Sequence, residues 1–60
     1  MNIKEDTAIE AWLEWRYWVD KGVDDFTINI SGKDNVYRFK EILDNHGHAY
    51  KLEDMVFYLK

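Results

Sequence analysis

Residues 55–59, Met-Val-Phe-Tyr-Leu, are apolar at every position. A β-strand sends successive side chains to opposite faces, so Met55, Phe57 and Leu59 share one face while Val56 and Tyr58 share the other. A strand apolar on both faces belongs inside a sheet, with a neighbour on each side. In a chain of 60 residues few segments can supply those neighbours. This single run therefore fixes much of the possible topology.

The two neighbours are legible. Phe26, Ile28 and Ile30 alternate with Thr27, Asn29 and Ser31, the pattern of a half-buried strand over 26–31. His48, Tyr50 and Leu52 alternate with Ala49 and Lys51, and Glu53-Asp54 supplies a turn into the 55–60 strand. Between these strands lie helical patterns. Thr7-Ala8-Ile9-Glu10 is a capping box that starts a first helix, which runs to about Lys21 and stops at Gly22, where Val23 can pack back on Trp18 in a Schellman ending. Ser31 and Asp34 form a second possible capping box. Val36, Phe39, Ile42 and Leu43 then follow at helical spacing until Gly47.

The expected architecture is α+β, in the order α-β-α-β-β, as one domain over 1–60. Its three-stranded sheet has the 55–60 strand in the centre, antiparallel to both neighbours, with the helices on one face. The 26–31 and 48–52 strands are then parallel edges joined by a right-handed helical crossover. Exposed edges invite a second chain, so strand addition is one expected mode of association.

A domain this small buries only about 60% of the surface its unfolded chain exposes. Such chains often recruit disulfides, a metal or a partner subunit. Cysteine is absent, which excludes disulfides and thiolate metal sites. Packing or self-association must carry the fold. An apolar fraction of 47%, with 17% aromatic residues, argues against disorder.

Twelve acidic and eight basic residues give a formal charge of −4, with no run of Lys or Arg. Phosphate backbones would be repelled, so direct nucleic-acid binding is disfavoured. A basic protein surface would be attracted. No apolar stretch is long enough to span a membrane or to form a signal peptide, and a cytoplasmic location is the default expectation.

All three tryptophans fall within 11–22, Ala-Trp-Leu-Glu-Trp-Arg-Tyr-Trp-Val-Asp-Lys-Gly. On a helical wheel the apolar arc of this segment spans roughly 220°, against the roughly 100° that one core demands. The expectation is contact on two sides: Ile9, Trp12, Leu13 and Val19 toward the sheet, and Ala11, Trp15 and Trp18 with Tyr17 toward a partner, with Glu14 at the rim. Aromatics at helical spacing are most often core. The surplus points to a self-interface or a heterologous protein site, where Trp and Tyr bury much area at little entropic cost.

Arg16 lies inside the apolar arc. Trp12, four residues earlier, is placed for a cation–π contact, and Asp20, four residues later, for an ion pair. A sharper reading makes Arg16 an anion-reading residue among aromatic rings, assisted by Arg38 and Lys33 near the start of the second helix. His46 and His48 flank Gly47 and read as a charged helix C-terminus, with no third residue to complete a metal site. The acids Asp20, Asp24, Asp25, Glu53 and Asp54 fall at helix ends and in loops, where carboxylates are ordinarily solvated. No nucleophile, base and orienting group share a helpful context, so no catalytic residues, metal or cofactor are expected.

The sequence thus predicts a non-enzymatic, oligomeric binding protein that occludes a protein partner. Its Asn/Lys/Ile/Asp/Tyr-rich composition and small size resemble those of small phage-encoded inhibitors of host enzymes or defence systems, a likeness of composition that assigns no residue a role. The alternative is a sponge for a nucleotide-like ligand held between subunits by Arg16 and Arg38.

Overall fold

A computed structural model describes residues 1–60. The elements in chain order are β1 (Asn2–Glu5), α1 (Ala8–Asp20), β2 (Phe26–Ile30), α2 (Lys33–Asn45), β3 (Lys51–Glu53) and β4 (Val56–Leu59). They form an α+β fold in which both helices cover one face of a four-stranded sheet of order β1-β2-β4-β3. β4 is central and antiparallel to both β2 and β3. The sheet has one strand more than the sequence predicts. β1 pairs in parallel with β2, Ile3 opposite Ile28, so the 26–31 segment is interior and the free edges are β1 and β3.

Inward-facing residues meet in a single row across all four strands: Ile3, Ile28, Phe57 and Leu52. Phe26, Ile30 and Leu59 extend this row into the buried sheet surface, and Val36, Phe39 and Leu43 of α2 press on it. The rings of Phe39 and Phe57 meet edge to face at 4.9 Å. The opposite sheet face carries Asn2, Lys4, Thr27, Asn29, Lys51, Glu53, Val56 and Tyr58, and neither helix covers it. β4 is therefore central by its strand neighbours, while its second apolar face, with Val56 and Tyr58, is open.

The helix ends follow the sequence closely in three cases of four. Thr7 caps α1: its hydroxyl accepts from the Glu10 amide at 3.2 Å and donates to the Glu10 carboxylate at 2.9 Å. At the other end Gly22 takes φ 92°, and the Val23 amide bonds the Trp18 carbonyl at 3.1 Å, a Schellman closure. α2 ends in the same way. Gly47 takes φ 73°, its amide bonds the Asp44 carbonyl at 3.2 Å, and the His48 amide bonds that of Leu43 at 2.9 Å. The expected Ser31–Asp34 capping box is not formed. Gly32 occupies the cap position with no side-chain bond, and the Asn35 amide instead ties the carbonyls of Asp6 and Ser31, joining the entries of the two helices.

The hairpin turn is Asp54-Met55, one residue later than expected, because Glu53 already pairs with Val56. Asp54 sits at φ 54°, a left-handed conformation that Asp tolerates better than most residues. The 48–50 segment, expected as strand, is an irregular connection.

Candidate functional site

α1 is turned from the expected sense: Trp12 and Val19 pack against the core as expected, but Ile9 and Leu13 do not. The residues it buries are Ala8, Ala11 and Trp15, at spacing i, i+3, i+7. Two alanines let the helix axis approach the sheet, and Trp15, 5% exposed, fills the space beyond them. Trp15 and Ala11 are therefore part of this chain's own core and are not free to meet a partner. Ile9 and Leu13, expected against the sheet, are 53% and 61% exposed. With Tyr17, 54% exposed, they form a stripe at i, i+4, i+8. Leu13 lies two residues from both Ala11 and Trp15, about 200° around the helix, so the stripe runs along the side opposite the core.

The flanks of the stripe differ. On one side stand Glu10 and Glu14. Glu5 faces inward at the end of β1 beside them, and a hydrogen bond shared with Glu14, partial burial and the charges of Glu14, Glu10 and Asp6 push its carboxyl up to about 7. Trp18 is half-buried and meets Tyr17 edge to face at 5.1 Å, while Lys21 lies 5.2 Å from the Tyr17 ring. Of the residues expected at a protein interface, Tyr17 belongs to the stripe, Glu14 lies beside it, and Trp18, half-buried, packs against the core. Ile9 and Leu13 join Tyr17, and the signal for that was present: two apolar stripes on one helix, only one of which can face the sheet.

On the other flank Arg16 makes both contacts anticipated for it. Its guanidinium lies 6.0 Å from the Trp12 ring centre and 5.8 Å from that of Trp15, and it reaches the Asp20 carboxylate at 3.8 Å. The turn ending α2 adds two imidazoles. The Schellman closure around Gly47 holds the rings of His46 and His48 nearly parallel, 9° apart in tilt and 6.2 Å apart in centre. His46 packs on Trp12 at 4.7 Å, and His48 meets Trp15 edge-on at 4.8 Å. His46 Nδ1 lies 2.9 Å from the Ile42 carbonyl, which leaves its Nε2 free of this bond. Burial, with the nearby charges of Arg16 and His46, holds the His48 imidazole below its usual pKa. The following chain is anchored by Tyr50, whose hydroxyl donates to Asp44, a carboxylate that also accepts from Lys40 at 3.0 Å. That double contact holds Asp44 below the usual carboxylate range. Nothing in the sequence pointed to this convergence of histidines and tryptophans, since 30 residues lie between Trp15 and His46.

Lys33 and Arg38 do not join Arg16. Lys33 lies at the start of α2 and lines a shallow groove of about 440 Å³ with Val36, Tyr37, Lys40, Leu52 and Met55. A helix rises about 1.5 Å per residue, which puts the start of α2 on the order of 20 Å from the histidines at its end. One small ligand cannot touch both. Arg38 is exposed on the body of α2 and lines none of these features. No three His, Cys, Asp or Glu side chains are grouped to hold a metal ion, and no helix is long and apolar enough to cross a membrane.

No protein-family model, no curated protein and no solved structure matches this chain.

Proposed function

We propose that this chain is a non-enzymatic binding domain that occludes a protein partner through the outer face of α1. The observation that carries the reading is the stripe Ile9–Leu13–Tyr17, three large apolar side chains more than half exposed on the side of the helix opposite the core. Exposed apolar stripes of this kind, bordered by charge, are a feature of protein-contact surfaces. Glu10 and Glu14 beside the stripe, and a formal charge of −4, favour a partner whose apolar surface is rimmed by Lys or Arg over a second copy of this chain. An inhibitor that blocks a host enzyme or defence protein would act in this way, in the cytoplasm.

The test has two stages. Light scattering on a size-exclusion column gives the molar mass. The expected result is a monomer near the chain mass of 7.3 kDa. A discrete oligomer broken by Leu13→Asp would reassign the stripe to self-association. For a monomer, a protein captured from lysate is purified and its affinity measured directly. Binding that weakens at least tenfold in Leu13→Asp, and also with rising salt, supports the reading. Equal affinity for the wild-type and Leu13→Asp chains overturns it.

A further inference from the structure

The second cluster of α1 is chemically unlike the stripe and carries an inference independent of it. Arg16, His46 and His48 are each within 6.0 Å of the Trp12 ring, in a protein whose overall charge is negative. The charged groups facing His48 are Arg16 from α1 and His46 from the end of α2, and both are cationic or able to become so. Neither imidazole has a carboxylate within ion-pair reach. The one acid in the cluster is Asp20, at 3.8 Å from Arg16 and itself largely exposed. The only buried polar side-chain atom without a partner in the protein, Trp15 Nε1, belongs to a ring of this same cluster.

The cluster is open to solvent, with the Arg16 side chain 42% exposed and His46 exposed, so a solute can reach it, and a bound anion would offset the repulsion among its cations once the imidazoles are protonated. The structural reading, that Arg16 merely stacks on Trp12, accounts for one cation. The Ile42 carbonyl takes one ring nitrogen of His46, which leaves Nε2 of His46 and the ring nitrogens of His48 without a hydrogen-bond partner in the protein. Nor is the His pair an accident of a mobile loop. The Gly47 closure fixes the backbone on both sides, and Tyr50 bonded to Asp44 anchors the chain beyond.

We infer that Arg16, His46 and His48, seated on Trp12 and Trp15, form a binding site for a compact phosphate-type dianion. Charge selects the class. With both imidazoles protonated the cluster holds three positive charges against the one negative charge of Asp20. The surplus of two matches a tetrahedral dianion: sulfate throughout this pH range, and a phosphate group above its second pKa of about 6. A monocarboxylate would leave one charge unmatched. None of the grooves of the protein is lined by these residues, so the cluster offers an open surface and not an enclosed cavity. Arg16 supplies a permanent planar fork suited to oxyanions. Each imidazole gains a second N–H donor and a positive charge when protonated, so uptake strengthens as pH falls through the histidine range.

Sulfate is the decisive first probe, because it remains a dianion across this pH range and any pH dependence then belongs to the protein. Titrations at constant ionic strength, in chloride, follow the His46 and His48 ring protons by NMR and tryptophan emission. Saturable shifts are expected at about pH 5.5, with affinity at least about tenfold weaker at about pH 7.5, since each imidazole whose pKa rises by one unit on binding contributes a factor of ten. Arg16→Gln removes the shifts while the remaining spectrum is unchanged, and His48→Gln flattens the pH dependence. Inorganic phosphate against adenosine monophosphate then separates the sources: tighter binding of the nucleotide assigns a phosphorylated small molecule, and equal binding assigns the free ion. The site is refuted if tens of millimolar sulfate give no saturable shift at the lower pH, if affinity is independent of pH, or if Arg16→Gln binds as the wild type does. None of these results bears on the apolar stripe, which Leu13→Asp tests separately.

Discussion

Truncating the two large residues on opposite sides of α1 separates core from surface. Trp15 is 5% exposed and meets Trp12, Phe26 and His48 at ring distances of 5.4, 6.2 and 4.8 Å. Removing a buried Trp to Ala typically costs about 3–5 kcal/mol, part lost transfer energy and part cavity. A 60-residue domain has roughly 3–9 kcal/mol in total, at about 0.05–0.15 kcal/mol per residue. Trp15→Ala thus removes at least about a third of the stability of this chain and at the upper end unfolds it. Leu13, 61% exposed, sits on no core contact, and Leu13→Ala should change stability by no more than about 0.5 kcal/mol. Urea unfolding followed by far-ultraviolet circular dichroism measures both, without relying on the tryptophan emission that one variant alters. Each 1 kcal/mol corresponds to roughly 4–8 °C in melting temperature at this size, so the two variants should be separated by more than 10 °C, about the smallest gap these figures give. Running both at low and high protein concentration adds a control. A loss above about 2 kcal/mol for Leu13→Ala at both concentrations, or below about 1 kcal/mol for Trp15→Ala, would refute the orientation of α1 and with it the exposed stripe.

Two further outcomes test local features. Thr7→Ala should cost about 1 kcal/mol in the same urea assay, since it removes the acceptor for the Glu10 amide at the start of α1. Glu5→Gln should be more stable than the wild type above about pH 7, with the difference closing at lower pH. The Glu5 carboxyl is raised from an ordinary 4.5 to about 7, so the native state keeps a proton that the unfolded chain releases. The stability this confers is full below the unfolded value and is lost as pH rises through the folded one. Unfolding curves from about pH 4 to 8 should show that decline in the wild type and not in Glu5→Gln.

The parts of the fold legible in the sequence were those with a repeated local signal. β2, α2 and the central β4 announced themselves by periodicity, and the glycines at 22 and 47 marked closures that require positive φ. β1 gave no such signal. It has four residues and one buried side chain, Ile3, too few for alternation to register, and its pairing is parallel with a segment more than 20 residues away. The missing strand then misplaced an edge, because β2 looked unpartnered on one side. The error on α1 has another origin. Ala8, Ala11 and Trp15 make one apolar stripe, and Ile9, Leu13 and Tyr17 make another. Size favoured the second as core, while close approach to the sheet required the small residues of the first. Arg16 was legible as an aromatic-stacked cation because its partners lie within one helical turn. The histidines beside it were not, because only the tertiary fold brings the end of α2 to the middle of α1.

The position of β4 has a consequence for how the domain comes to exist. Its residues are among the last of the 60, yet they pair with both β2 and β3 and place Phe57 and Leu59 in the interior. Until they arrive, β3 has no strand to pair with and β2 has only β1. A chain emerging from the ribosome can form its two helices before the sheet, which closes only once β4 has also emerged. Synthesis by this route gives no folded half to protect the other. Folding therefore waits for β4, and a chain that still lacks it, with its apolar helix faces uncovered, is the form most exposed to aggregation and proteolysis.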